Sequence, residues 1–341
     1  MVKCTHEFLE TNLNIPFTQL FGFTELNQIP EFDNGMCESL RNDPLLNKKI
    51  LKLKEVDLIL LLDLNWDFVF ELVLAEKKSR KLPVVSVIYD VIPLTHPQYF
   101  QEEYGAKAFL RNLRKKLQIS DHLVFNSRAT YNDFLKLGMQ FSAECHIFPL
   151  GAFSLNSGVR HPIVPPNTIL YVSTIEPRKG HEDVLNAFDE LCNSGEDFRL
   201  ILVGKYGWLC HDVVERIRSH PEYGKRLIWF DSITDEELRI VYAMSTVCVV
   251  PSRIEGFGLN LEEALGQRIP VVARDLPVFR ERPYENVYFF DDVNFKMSEA
   301  IKFASNNKWQ EMKTDLRPIE YFGRDIHGLL ERLVQELRQE E

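Results

Sequence analysis

The sequence predicts an α/β protein made of two Rossmann-like domains that face each other across a cleft. From about residue 56 onward, apolar runs of strand length alternate with stretches of helical period, the pattern of parallel sheets covered on both faces. Residues 151 to 167 break that rhythm with Gly151, Gly158, Pro162, Pro165 and Pro166, and read as an interdomain linker. A length of 341 residues gives each of two domains enough chain for its own core. The domains are therefore placed at 1–152 and 164–320, with a separate C-terminal helical segment at 321–341.

In the first domain, Val56–Leu62 and Pro83–Tyr89 read as strands, with a helical stretch from about Trp66 to Lys81 between them. A helix from about Glu102 to Ile119 follows, then strands at His122–Phe125 and Cys145–Phe148 flanking a helix near Ala129–Leu137. The first 55 residues lack the repetition seen later. In the second domain, strands are expected at Ile169–Val172, Arg199–Val203, Arg226–Phe230, Val247–Val250, Pro270–Ala273 and Val287–Phe290. Helices are expected at Glu182–Cys192, Asp212–Ser219, Asp235–Met244 and Leu259–Gly266, with Thr234 and Glu237 forming a capping box. Near the C-terminus, Ile326, Leu329, Leu330, Leu333 and Leu337 line one face of an amphipathic helix.

Composition excludes several classes. Hydrophobic content of 45% and charged content of 26% are those of a soluble globular domain. The longest apolar run, Val56 to Leu64, carries Asp57 and Asp63 and is far short of the ~20 residues of a membrane helix. A net charge of −10 argues against general nucleic-acid binding. The segment after Met1 lacks the apolar core of a signal peptide, and the six cysteines fall singly, so a cytoplasmic, reducing setting is expected. The nine histidines are scattered without zinc-finger spacing.

Chemistry concentrates in the run Ser252 to Leu265. Gly256 and Gly258 allow a tight turn and close approach of the backbone to a ligand, and the helix after them aims its unpaired N–H groups at that point. An anion is the natural occupant. Glu255 and Glu263 flank the turn; as carboxylates they would repel phosphate and suit neutral donors such as sugar hydroxyls. Phosphate at the turn with hydroxyls on both sides describes a sugar nucleotide. A second group, Ser173-Thr174-Ile175-Glu176-Pro177-Arg178-Lys179, places two cations just after a strand, where they can stabilise a leaving diphosphate. An ordinary strand-to-helix turn and a pair of surface cations are the plainer accounts of the two runs taken singly.

The run from Glu255 to Glu263 resembles the E-x7-E signature of retaining glycosyltransferases, and its wording is close to family 4, whose usual form is E-G-F-G-L-P-x-x-E-A; Asn260 stands at the proline position. Glu176 to Lys179 is similar to the E-P-R-K form of a bacterial mannosyl- and rhamnosyl-transferase-like subgroup. Thr174 occupies the place of the arginine in the more general G-R-x-x-x-x-K-G form. Val203 to Trp208 and Ala273 to Glu281 extend the likeness, which covers roughly residues 84 to 282. Tyr89-Asp90-Val91-Ile92-Pro93 resembles the H-D-x-I-P segment of the same subgroup, with Tyr89 in place of histidine.

The resemblance implies the GT-B fold, often with a terminal helix crossing back to the first domain. It implies retaining transfer of a hexose from a nucleotide-diphosphate sugar, GDP-mannose first and a deoxysugar nucleotide second, to a glycan or lipid-linked glycan in surface polysaccharide assembly. The implied catalytic group is Asp90, Arg178, Lys179 and Glu255, with Asp90 orienting or deprotonating the acceptor or merely capping the next turn. Ser173, Thr174, Gly204, Lys205, Gly256, Phe257, Gly258, Leu259 and Glu263 are expected to bind donor. No D-x-D pair occurs, and the cations can neutralise the diphosphate, so no metal and no cofactor are expected. The atypical first 55 residues leave room for a partner chain supplying an acceptor-side element. A basic face of Lys107, Arg111, Arg114 and Lys115 suggests either peripheral contact with anionic lipid or a solvated helix surface. A nucleotide-sugar epimerase and a non-catalytic partner subunit remain as alternatives.

Overall fold

A computed structural model describes residues 58–62, 70, 74, 77–79, 81–101, 105–151, 167–291, 293–307, 316–318 and 320–340. The atypical N-terminal 55 residues and nearly all of the predicted linker lie outside the described residues, as does most of the helix expected from Trp66 to Lys81.

The first domain contains a parallel sheet of β1 (Ile59–Leu61), β2 (Val84–Ile88), β3 (His122–Phe125) and β4 (Glu144–Ile147), paired in that order. Strand β2 is buried along its whole length, as expected of a strand covered on both faces. After it come the short helix α1 (Ile92–Thr95), α2 (Ala106–Ile119) and, beyond β3, α3 (Arg128–Lys136). Ser127 caps α3, its hydroxyl accepting from the Thr130 amide.

In the second domain, β5 (Thr168–Val172), β6 (Arg199–Val203), β7 (Leu227–Phe230), β8 (Val247–Val250), β9 (Val271–Arg274) and β10 (Val287–Phe290) are all parallel. Their spatial order is β10-β9-β8-β5-β6-β7. The direction of winding therefore reverses between β5 and β8, which marks the crevice beyond their carboxyl ends as the ligand position of a doubly wound sheet. Helices α4 (His181–Asn193), α5 (His211–Ser219), α6 (Asp235–Ala243), α7 (Leu259–Gly266) and α8 (Met297–Asn306) cover it. One apolar cluster joins Tyr171, Phe188, Leu200 and Ile301 on one face; another joins Leu170, Tyr242, Leu261 and Phe279 on the other. The Thr234–Glu237 capping box is present at α6.

The last helix, α9 (Glu320–Glu340), packs on the first sheet: Phe322, Ile326, Leu329, Leu330 and Leu333 bury against Val85, Val87 and Val124. Two parallel α/β domains with a terminal helix crossing back constitute the GT-B architecture. Helix α8 was not anticipated, because Lys296 begins it without a side-chain cap. Helix α1 was not anticipated either; it is one turn long, with Pro93 in its first turn.

Candidate active site

The two domains meet around a cleft of about 480 Å³ at the switch point of the second sheet. From the first domain it is lined by Tyr89, Asp90 and Asn126, which follow β2 and β3. From the second it is lined by the loop after β5 (Ser173, Thr174, Glu176, Arg178, Lys179), by Trp208, and by the loop after β8 and the start of α7 (Glu255 to Asn260, with Glu263).

Arg178 and Lys179 sit on a single 3-10 turn, Pro177–Lys179, closed by Gly180 in the left-handed conformation at φ 70°. A Cβ on Gly180 would stand 2.6 Å from the Pro251 carbonyl, so glycine lets the β5 and β8 loops touch. The Tyr171 hydroxyl, buried beneath, donates to the Lys179 carbonyl at 2.5 Å, and the Arg253 amide donates to the Arg178 carbonyl at 2.8 Å. Both cations are thereby aimed at one carboxylate. Lys179 Nζ pairs with Glu255 Oε1, and Arg178 Nη1 lies 3.3 Å from Glu255 Oε2. The other guanidinium nitrogen pairs with Glu176 at 2.8 Å. Burial pushes the Glu255 carboxyl up, but Lys179 and Arg178 outweigh it and hold the group below the usual carboxylate range. Glu176 has a single cationic hydrogen-bond partner in Arg178, and burial wins there, raising its carboxyl.

The β8–α7 loop is built for close approach. Gly258 is the cap residue of α7 at φ 92°, and a Cβ there would collide with the Phe279 ring at 2.2 Å. At Gly256 a Cβ would lie 2.4 Å from the Tyr89 carbonyl and 2.9 Å from Asp90 Cβ, so this loop presses against the first domain. Beyond it, the first residues of α7, Leu259 and Asn260, line the cleft, at the end where a helix carries its unpaired N–H groups and positive dipole. Glu263, one turn into α7, is half-buried near the Tyr242 hydroxyl at 3.5 Å; burial lifts its carboxyl to about 7. Asp90 is also raised, chiefly by burial, although Oδ1 accepts from the Ile92 amide at 3.0 Å. It caps the following turn and lines the cleft at once.

Of the residues singled out from sequence, Asp90, Ser173, Thr174, Arg178, Lys179, Glu255, Gly256, Phe257, Gly258, Leu259 and Glu263 share this cleft. Gly204 and Lys205 are outside the residues that line it. The Lys205 carbonyl accepts the Ile175 amide at 2.9 Å and its side chain is exposed; Gly204 packs under Ser173. Asn126 and Trp208 line the cleft unanticipated; equally unanticipated, the hydroxyls of Ser127 and Thr130 grip the Gly256 carbonyl from behind the lining. The position of Asn126, directly after a first-domain strand, was the available signal, since ligands bind beyond strand ends. The Trp208 indole donates to the Tyr99 carbonyl at 2.8 Å and stacks on Phe100, closing one wall between the domains.

The family model described as Glycosyl transferases group 1 matches residues 159–321. The serotype-specific mannosyltransferase WbdA of Escherichia coli is 44% identical over 123 residues, which make up 36% of this chain and 15% of WbdA. The O-antigen chain mannosyltransferase B of Escherichia coli is 31% identical over 151 residues, 42% of this chain and 39% of that protein. The chain thus spans well under half the length of these curated relatives. In fold, it is similar to Anabaena HepE solved in complex with UDP, with a TM-score of 0.59 and 17% identity over 85% of this chain and 82% of HepE.

Proposed function

We propose that this chain, whose residues 159–321 match the family model described as Glycosyl transferases group 1, transfers a hexose, mannose first, from a nucleotide-diphosphate sugar to a glycan or lipid-linked glycan acceptor. The observation that carries this reading is the convergence of Arg178 and Lys179 on Glu255 at the sheet's switch point. Two cations and a helix N-terminus make a diphosphate site that needs no divalent ion. The similarity to two mannosyltransferases supports the choice of mannose.

On donor entry, the diphosphate takes the hydrogen bonds of Arg178 and Lys179 now made to the Glu255 carboxylate, along with the α7 amides. Glu255 then turns to the hydroxyls of the transferred sugar, and Glu263 accepts from the ribose. As the anomeric C–O bond to phosphate breaks, charge grows on the leaving diphosphate, where the two cations stabilise the transition state more than the ground state. The acceptor hydroxyl attacks from the same face and the leaving phosphate takes its proton, so the anomeric configuration is retained. Asp90 orients the acceptor hydroxyl from the first-domain wall. Helix α2 exposes Lys107, Arg111 and Arg114, a surface suited to an acceptor held at an anionic lipid face. Among the described residues, no helix is long and apolar enough to cross a membrane.

The test is a panel of sugar nucleotides offered to the purified chain in the presence of a chelator, with glycan acceptors, read by product formation and by NMR of the new anomeric centre. Turnover of GDP-mannose with retained configuration is expected. Transfer that requires added metal, or an inverted product, overturns the mechanism. Tight donor binding with no turnover under any acceptor assigns the chain to a non-catalytic subunit instead.

A further inference from the structure

Away from the cleft, two of the histidines that look dispersed in the sequence come together. Glu144 and His146 stand two apart on β4 and so share a face of the sheet. The register sets His122 of β3 opposite Glu144, which brings its ring to the same face. His122 Nδ1 lies 3.1 Å from His146 Nε2, and the Glu144 oxygens lie 3.8 Å and 3.7 Å from these two nitrogens. The three ligand atoms all fall within 4.8 Å of one another.

We propose that His122, His146 and Glu144 form a zinc site that staples β3 to β4 at the edge of the first sheet. Two nitrogens bound about 2.0–2.1 Å from one tetrahedral zinc stand roughly 3.4 Å apart, close to the spacing already present between the rings. Two imidazoles and one carboxylate are a borderline-soft set that suits Zn²⁺ and not Mg²⁺ or Ca²⁺. Both rings are largely buried, with 14% and 11% of their side-chain surface exposed, so little ordering is left to do on binding. Glu144 is 69% exposed at the rim, leaving the fourth position to water. The opposing influence is Arg332 of α9, close enough to the His146 ring to disfavour positive charge there.

The site's location sets its role. Strand β3 runs from His122 toward the cleft-lining Asn126, so the cluster lies at the far ends of the strands from the donor. It shares its sheet face with Val85 and Val124, against which α9 packs. A bound zinc would tie the edge strand to its neighbour beside the helix that crosses back, a structural function without a step in transfer.

The experiment uses the full chain without a histidine tag, stripped with chelator and titrated with zinc chloride by calorimetry, with melting curves recorded in parallel. One zinc per chain and a higher Tm are expected. His122→Asn and His146→Asn should each weaken binding by about tenfold or more, as loss of a ligand or its support does. Glu144→Gln, at an exposed position that leaves folding intact, should weaken it as well, while Arg332→Gln should tighten it. Absence of stoichiometric zinc in the wild-type chain overturns the proposal. So does unchanged affinity in all three ligand variants, which would place the metal at cleft carboxylates or cysteines.

Discussion

The hydroxyl of Ser127 donates to the carbonyl oxygen of Gly256 at 2.7 Å, tying the first domain to the loop that opens the candidate diphosphate site. Thr130 Oγ1 donates to the same oxygen at 3.0 Å. From the second domain, the Glu281 carboxylate returns the contact by accepting the Arg128 and Ala129 amides at the N-terminus of α3. The start of one helix is therefore an anchor for the opposite domain's ligand loop.

Ser127→Ala removes both the cross-domain bond and the α3 cap. Each is worth about 1 kcal/mol. Donor KM is expected to rise several-fold with a modest fall in Tm, measured by steady-state kinetics and thermal melting. A wild-type KM in this variant would show that Thr130 alone positions the loop.

Gly256→Ala adds a methyl 2.4 Å from the Tyr89 carbonyl, a backbone atom that cannot rotate away. The domains must separate locally, shifting Asp90 relative to Arg178 and Lys179. A misplacement of about 1 Å in a reacting group costs on the order of 100-fold in rate, so kcat should fall by about that factor. The expected stability loss is about 1–3 kcal/mol from overpacking. Kinetics alongside denaturant unfolding separate the two effects.

Much of this site is legible in the sequence because its parts lie on two continuous runs. Glu176 to Lys179 and Glu255 to Glu263 each follow a predicted strand, and strand ends converge at a switch point whatever the loops contain. The grip on Gly256 is not legible: Ser127 and Thr130 look like an ordinary helix cap, and their second partner is more than 120 residues away. Lys205 is the reverse case, a residue the sequence points to that is not among those lining the cleft. A lysine after a strand suggests phosphate, yet the bridge between Ile175 and Tyr206 carries its backbone into a continuation of the β5–β6 ladder and leaves its side chain exposed. The pairing of His122 with Glu144 depends on register, which spacing along one chain does not reveal.

Lys179→Ala tests the diphosphate role directly. Removing one preorganised donor to a developing negative charge costs about 10²–10³-fold in kcat. Glu255 keeps Arg178 as a partner, so the fold should survive. Single-turnover rates falling by that factor, with a near-native melting curve, are expected. Unchanged turnover would remove Lys179 from the reaction.

The docking of α9 is open to a core test. Ile326 is fully buried against the first sheet, and Ile326→Ala should cost about 2–5 kcal/mol through lost burial and the cavity left behind. Equilibrium unfolding in urea checks this. A loss near zero would mean that α9 contributes little to holding the first domain.

Glu263 gives the chain a pH signature near neutrality. Burial lifts its carboxyl from 4.5 to about 7, against the Tyr242 hydroxyl, which lowers it. Between those values the folded state holds a proton that the unfolded state has released. Its contribution to stability is therefore complete below about pH 4.5 and is lost as pH rises through about 7; the move corresponds to roughly 3 kcal/mol. Glu263→Gln should flatten that part of the curve and make the chain more stable than wild type above about pH 7. Nucleotide binding runs the other way, because an ionised Glu263 accepts ribose hydroxyls better than a protonated one. Calorimetry with GDP from about pH 5.5 to about 8.5 should show affinity rising through about 7 in the wild type and staying level in Glu263→Gln. Asp90 and Glu176 are raised too, so the difference between wild type and variant is the quantity to read. Equal slopes in both would take Glu263 out of the donor site.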